Sequence, residues 1–154
     1  MPNILFVCTA NRYRSVIAAA CFRNELARRN KENEWSVSSA GTWAVNGLPA
    51  MTEAIILAGE LGLDIQNHQS QVITGEMLQQ ADVVLVMQGG QKEALQVEFP
   101  EYRKKIFLLS EASKGISFDI PDPVSGPALG IHIVPEICEL LRTGFDQICS
   151  LARL

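Results

Sequence analysis

The chain has 154 residues, of which 47% are hydrophobic and 19% charged, and 13 Lys plus Arg against 17 Asp plus Glu leave a formal net charge of -4. At roughly 150 residues per domain this is one domain, 1–154, with enough apolar material to fill a core and too little charge to stay disordered. The acidic balance argues against a nucleic-acid partner, which calls for an electropositive face, and the short, interrupted apolar stretches exclude a membrane span, which needs about 20 mostly apolar residues.

Ile4 to Val7 is a continuous apolar run, short enough for a strand buried on both faces. After the polar ANRYRS segment, Val16, Ala19, Ala20, Phe22, Leu26 and Ala27 outline an apolar helical face. The first unit is therefore strand, tight loop, helix. Trp35 and Val37 predict a second, partly exposed strand, followed by the Gly- and Pro-bearing loop AGTWAVNGLP. Ala54, Ile55, Ala58 and Leu61 recur at helical spacing from Thr52, with Gly62 as the stop. Thr74 is placed to cap a short helix with Met77 and Leu78, and Asp82 precedes the strand VVLVM. A helix near Lys92 to Phe99, a strand from Lys105 to Leu109, a long turn-rich loop from Ser110 to Gly130 and a final helix from about Pro135 complete the chain. Helices alternating with short apolar strands predict a three-layer α/β domain, its mainly parallel four-stranded sheet flanked by helices.

The amino terminus lacks the basic, apolar, cleavage-site order of a secretory signal, so the expected setting is cytoplasmic. Cysteines at 8, 21, 138 and 149 show no CxxC spacing, and a reducing cytosol keeps them as thiols. Cys138 and Cys149 are nearly three helical turns apart, so both are expected in the core. His68 and His132 form no ligand cluster, so neither a metal site nor a cofactor is expected.

VCTANRYRS sets a thiol at the end of the first strand and an arginine six residues on, beside a serine at the helix start. A tight loop entering a helix aims successive amides at one point, and the free first-turn donors favour an anion there. That field also favours a thiolate. Cys8 can then attack phosphorus while Arg14 holds two phosphoryl oxygens with paired donors. Ser15 is placed to cap the helix or to donate to the Cys8 sulfur, and Asn11 tolerates a left-handed backbone in a loop without glycine. Taken singly, these residues read as a core thiol, a turn, a solvated arginine and a cap; their joint placement points to phosphate chemistry.

CTANRYRS, its position near the amino terminus, a downstream SAGT and a late Asp-Pro together resemble the low-molecular-weight protein tyrosine phosphatase family across essentially the whole chain. The resemblance implies a protein tyrosine phosphatase that hydrolyses phosphomonoesters through a phosphocysteine at Cys8, without metal. It implies a phosphate loop of Thr9, Ala10, Asn11, Arg12, Tyr13, Arg14 and Ser15, supported by Ser39 of SAGT and by His68. Asp122 is the implied acid, donating to the leaving group and later accepting from water, with Asp119 as a neighbouring acidic helper. The implied partner is a phosphorylated protein or peptide, phosphotyrosine first.

Departures cluster at the loop and mouth. Ala10 stands where relatives often have glycine, and Tyr13 where many have a second cysteine, so no loop disulfide can protect Cys8. Val124 and Ser125 follow the Asp-Pro pair where aromatics are common; Val45 sits near another aromatic wall position, with Trp43 two residues away. Arg12 brings a positive charge that either attracts an additional anion or points into water, and like charge argues against a phosphoarginine substrate. The cysteines that related arsenate reductases use near residues 80 to 90 are missing. The alternatives are a non-enzymatic phosphate-binding or regulatory domain, which would need neither Cys8 nor Asp122, and a phosphatase with a different preferred substrate such as phosphoarginine.

Overall fold

The computed structural model describes residues 1–123 and 129–153. Its centre is β1 (Asn3–Cys8), hydrogen-bonded on one side to β2 (Ser36–Gly41) and on the other to β3 (Val83–Val86), which pairs with β4 (Ile106–Leu108). The order is β2-β1-β3-β4 and every pairing is parallel. Parallel strands need long crossovers, and these carry α1 (Arg14–Arg28), α2 (Thr52–Glu60), α3 (Gly75–Gln80) and α4 (Gly89–Glu98), the last followed by a 3-10 turn at Pro100–Lys105.

The run in β1 is apolar throughout because both faces of the sheet are covered. Leu5 and Val7 join Val84, Val86, Leu78 and Leu95 in a core beneath α3 and α4. Ile4, Phe6 and Cys8 point the other way, into a larger core with Val16, Ile17 and Phe22 of α1 and residues of α5 (Leu109–Lys114), α6 (Leu129–Thr143) and α7 (Phe145–Ala152). The two-residue period of a strand delivers alternate side chains to the two cores. The chain leaves β1 toward β2, whereas β3 lies on β1's other side, so β1 ends at the crevice where a doubly wound sheet reverses direction.

Four local expectations are corrected. In α1, Ala27 is exposed and Glu25 is buried instead, where Arg28 and Arg29 pair with it at 3.0 and 3.5 Å. The expected loop from Ser110 is helical at its start, since α5 covers Leu109–Lys114. The final helix begins at Leu129 and keeps Pro135 inside; proline removes one bond to the Ile131 carbonyl, at a residue 60% exposed, where water can replace it. That helix also breaks at Gly144, where the Ser113 hydroxyl of α5 donates to the Leu140 carbonyl at 2.7 Å. Finally, the four cysteines are not all thiols: Cys21 and Cys138 form a disulfide, because α1 and α6 pack side by side and bring their Cα atoms to 5.5 Å. Cys149 is buried as expected, and Cys138 is only partly so. No helix among the described residues is long and apolar enough to cross a membrane.

Candidate active site

Cys8 ends β1 with 2% of its surface exposed, and five residues carry the chain from it to Arg14, the first residue of α1. Backbone bonds pin this loop on two sides. Thr42 N donates to Cys8 O and Trp43 N to Thr9 O, each at 2.9 Å, and Met51 N donates to Arg12 O at 2.9 Å. Gly41 must be glycine for this approach, since a Cβ there would overlap the Thr9 carbonyl and lie 3.0 Å from Asn11 N.

Asn11 is the centre of the loop. It is fully buried with φ at 56°, the left-handed conformation that asparagine tolerates better than most residues. Its Nδ2 donates to Ser15 Oγ at 2.8 Å and to Ser39 Oγ at 3.0 Å, and its Oδ1 accepts from Gln71 N at 2.9 Å. Its own carbonyl lies 2.7 Å from His68 Nε2. A carbonyl can only accept, so that nitrogen carries the proton. Burial, opposed by this bond, pulls the imidazole below its ordinary pKa and favours the neutral ring. Ser15 Oγ, which accepts from Asn11, lies 3.0 Å from Cys8 Sγ, and once that sulfur is a thiolate the hydroxyl can only donate to it. Ser15 is the second residue of α1, so its bond to the sulfur, and not a cap, is the role realised.

Arg14 is 2% exposed, and its Nη1 donates to Gln88 Oε1 at 2.7 Å and to Ile120 O at 2.8 Å. Gln91 in turn accepts from Met87 N and Gln88 N, both at 3.0 Å, and donates to Thr9 Oγ1 at 3.0 Å. Cys8, Arg14 and half-buried Asp122 share a pocket of about 40 Å³, walled by Ala10, Arg12, Tyr13 and Met51. Asp119 is elsewhere: its Oδ1 accepts from Gly89 N at 2.8 Å at the start of α4, and it lines a separate depression of about 320 Å³ with Thr9 and Gln88.

The family model described as low molecular weight phosphotyrosine protein phosphatase matches residues 3–152. The chain belongs to this family. It is 35% identical over 146 residues to the probable low molecular weight protein-tyrosine-phosphatase EpsP of Ralstonia nicotianae, covering 95% of this chain and 92% of that one. It is 36% identical over 151 residues to the protein-arginine-phosphatase of Geobacillus stearothermophilus, covering 97% and 96%. A crystal structure of a YwlE mutant from Bacillus subtilis superposes with a TM-score of 0.90 at 32% identity, covering 97% of this chain and 99% of that one.

Within this family member, the residues singled out in sequence fall into three groups. Cys8, Asn11, Ser15, Ser39 and His68 form one bonded cluster, and Arg14 is linked through Gln88 and Gln91 to Thr9, with Ala10 and Asp122 in the same pocket as Cys8 and Arg14. Arg12 lines the pocket with its Nε donated to Pro49 O at 2.8 Å, so it is neither wholly in the pocket nor free in water. At the mouth, Trp43 and Val45 are 83% and 65% exposed on the loop after β2, while Val124 and Ser125 lie outside the described residues. Tyr13 is turned inward: its hydroxyl lies against Gly130, near the Glu53 carboxylate. Burial first, and then Glu53 through its hydrogen bond and its charge, push its pKa up, so it is a neutral phenol. Gln71, Gln88 and Gln91 escaped the sequence reading. Nothing local marks them, since each acts through a contact made across the fold.

Proposed function

We propose that the chain hydrolyses phosphotyrosine in proteins or peptides through a phosphocysteine at Cys8, with Arg14 holding the phosphoryl oxygens and Asp122 exchanging the proton. The observation that carries this reading is the hydrogen-bonded chain Asn11, Ser15, Cys8, ending on a sulfur that shares its small pocket with Arg14 and Asp122. The sulfur attacks phosphorus, and Asp122 protonates the departing phenoxide; Asp122 then takes a proton from the water that cleaves the phosphorus–sulfur bond. Ser15 steadies the thiolate before attack and again as it leaves. Arg14 and the loop amides supply the electrostatic stabilisation of the transferring group. A related structure supports the covalent step: a YwlE arginine phosphatase, as a Cys-to-Ser mutant, is described with a phosphorylated active-site serine. A cytoplasmic setting belongs to the same reading.

The test is a pair of variants. Cys8→Ser should keep phosphate binding and lose turnover, and Asp122→Asn should slow an aryl phosphate with a poor leaving group far more than one whose leaving group departs readily. Full activity in C8S, or equal slowing across the leaving-group series, refutes the mechanism. Phosphoarginine is the second reading, favoured by the 36% identity to protein-arginine-phosphatases. Against it, Arg12 stands in the pocket wall with no carboxylate in an ion pair with it among the described residues, and its like charge disfavours a guanidinium beside it. Arg12 and the exposed Trp43 favour an aromatic phosphate ester with acidic flanking residues. A panel of acidic and basic phosphotyrosine peptides and phosphoarginine, with wild type and Arg12→Ala, decides between them.

A further inference from the structure

α1 and α6 touch at two points that match in register. At the active-site end, Tyr13 of the phosphate loop meets Gly130, where a Cβ would overlap its hydroxyl. Eight residues further along both segments, Cys21 meets Cys138 in the disulfide. The two helices therefore run in the same direction, and the contacts are spaced about 12 Å along their axes. α1 begins with Arg14, and α6 is the helix that follows the segment bearing Asp122. The disulfide thus ties the element carrying the phosphate-binding arginine to the element that packs against Tyr13, which walls the pocket beside Asp122.

This bond is not sealed in the core. It borders a groove of about 250 Å³ whose walls include Asn24, Leu61, Leu63 and Pro135. Cys21 is only 3% exposed, whereas Cys138 is partly open. At the rim, Arg28 pairs with Glu25 at 3.0 Å and Arg142 with Glu139 at 2.6 Å, so the opening carries balanced charge and repels neither sign. The remaining cysteines, Cys8 and Cys149, are free thiols.

We propose that Cys21–Cys138 is a thiol-exchange site, reached by a low-molecular-weight thiol through the groove between α1 and α6, and that its redox state sets how firmly α6 holds Tyr13 in the pocket wall beside Asp122. A thiolate attacks the open Cys138 sulfur, forming a mixed disulfide and expelling Cys21 as a thiolate, which takes a proton from water. A second thiolate attacks the small-molecule sulfur, releasing Cys138 and the oxidised thiol dimer; two electrons pass from two thiols to the protein. The packed helices remain, but Tyr13 against Gly130 becomes the main link at the active-site end. The kinetic half of this proposal rests on the phosphatase reading above, and the exchange half does not.

Two measurements test it. In Cys8→Ser protein equilibrated in reduced and oxidised glutathione mixtures, alkylation and mass spectrometry should show full interconversion of disulfide and dithiol, with the glutathione adduct on Cys138 and not Cys21. In wild type with Cys8 protected by inorganic phosphate, the reduced form should turn over a poor-leaving-group aryl phosphate at least threefold more slowly than the oxidised form. A good-leaving-group ester should be unaffected, and Cys138→Ser should behave as the reduced protein. A disulfide that resists excess thiol in the folded protein, never forms in oxidising buffer, or exchanges at Cys21 overturns the exchange site. A leaving-group ratio identical in both redox forms and in C138S overturns the coupling. Absence of turnover in every form overturns the coupling together with the phosphatase reading, while the labelling still decides the exchange.

Discussion

Asn11→Ala should cost roughly 3–5 kcal/mol of folding stability. The substitution removes two buried bonds to Ser15 and Ser39 and one from Gln71 N, at 2.8, 3.0 and 2.9 Å. At about 1 kcal/mol net for each, these account for about 3 kcal/mol, and the stranded Gln71 N–H adds about 1 kcal/mol or more unless water reaches it. Alanine held at the φ of 56° adds about another 1 kcal/mol. Against a total stability of about 5–15 kcal/mol this is a large fraction. Urea unfolding read at constant m gives the loss directly. Asn11→Gly relieves the backbone strain but not the lost bonds, so it should recover no more than about 1 kcal/mol. Turnover at low urea should also fall about tenfold or more, because Ser15 loses the bond that holds its hydroxyl beside the sulfur, and about 1.4 kcal/mol in the barrier suffices for that factor. A stability loss below about 1.5 kcal/mol, or one no larger than that of Ser39→Ala, with three bonds at stake against one, refutes the view that Asn11 holds the loop together.

Gly130→Ala should destabilise by about 1–3 kcal/mol, because its Cβ meets the Tyr13 hydroxyl on a ring that cannot swing away; Tyr13→Phe should restore most of the loss, and a thermal-denaturation double-mutant cycle showing simple additivity would reject the contact. His68 is held below its ordinary pKa of 6.5, so the unfolded chain binds a proton at higher pH than the folded one; its contribution is intact above pH 6.5 and is lost as pH falls through that value toward the folded pKa. His68→Gln should flatten that part of the stability–pH curve, and an unchanged slope counts against the assignment. Gln88→Ala leaves Arg14 with Ile120 O as its remaining described partner and should weaken inorganic phosphate binding about fivefold, equivalent to about 1 kcal/mol, measured by calorimetry. Reduction of Cys21–Cys138, 117 residues apart, should lower unfolding free energy by up to about 5 kcal/mol on the chain-entropy model, read from urea curves of C8S with and without reductant.

The elements whose signals are local were legible before any fold was known. β1 reads as a strand because both its faces are buried, so its apolar run has no polar interruption, and Thr74 reads as a cap because its oxygen serves Met77 N three residues on. The α6 start was not legible, since the proline rule marks where helices prefer to begin, and here buried Gly130, Ile133 and Val134 drew the preceding turn into the helix despite the missing bond. Asp119 and Asp122 are three residues apart and equivalent in composition. Only packing separates them, one bonded to Gly89 N and the other beside Cys8 and Arg14.

Sequence alone marked out the residues that the proposed chemistry uses within eight consecutive positions: a thiol, a turn-forming asparagine, an arginine and a serine at a strand-to-helix junction, where the spacing favours a common focus. It also determined the α/β architecture, because strand and helix periodicities are written residue by residue. Tertiary structure decided everything that depends on two distant segments meeting. The glutamines that hold Arg14 and Thr9, the inward turn of Tyr13 against Gly130, and the pairing of Cys21 with Cys138 all arise where helices and loops pack across the sheet. Such contacts leave no periodic or adjacent trace in the chain, since their energies depend on approach distances that only the assembled core sets.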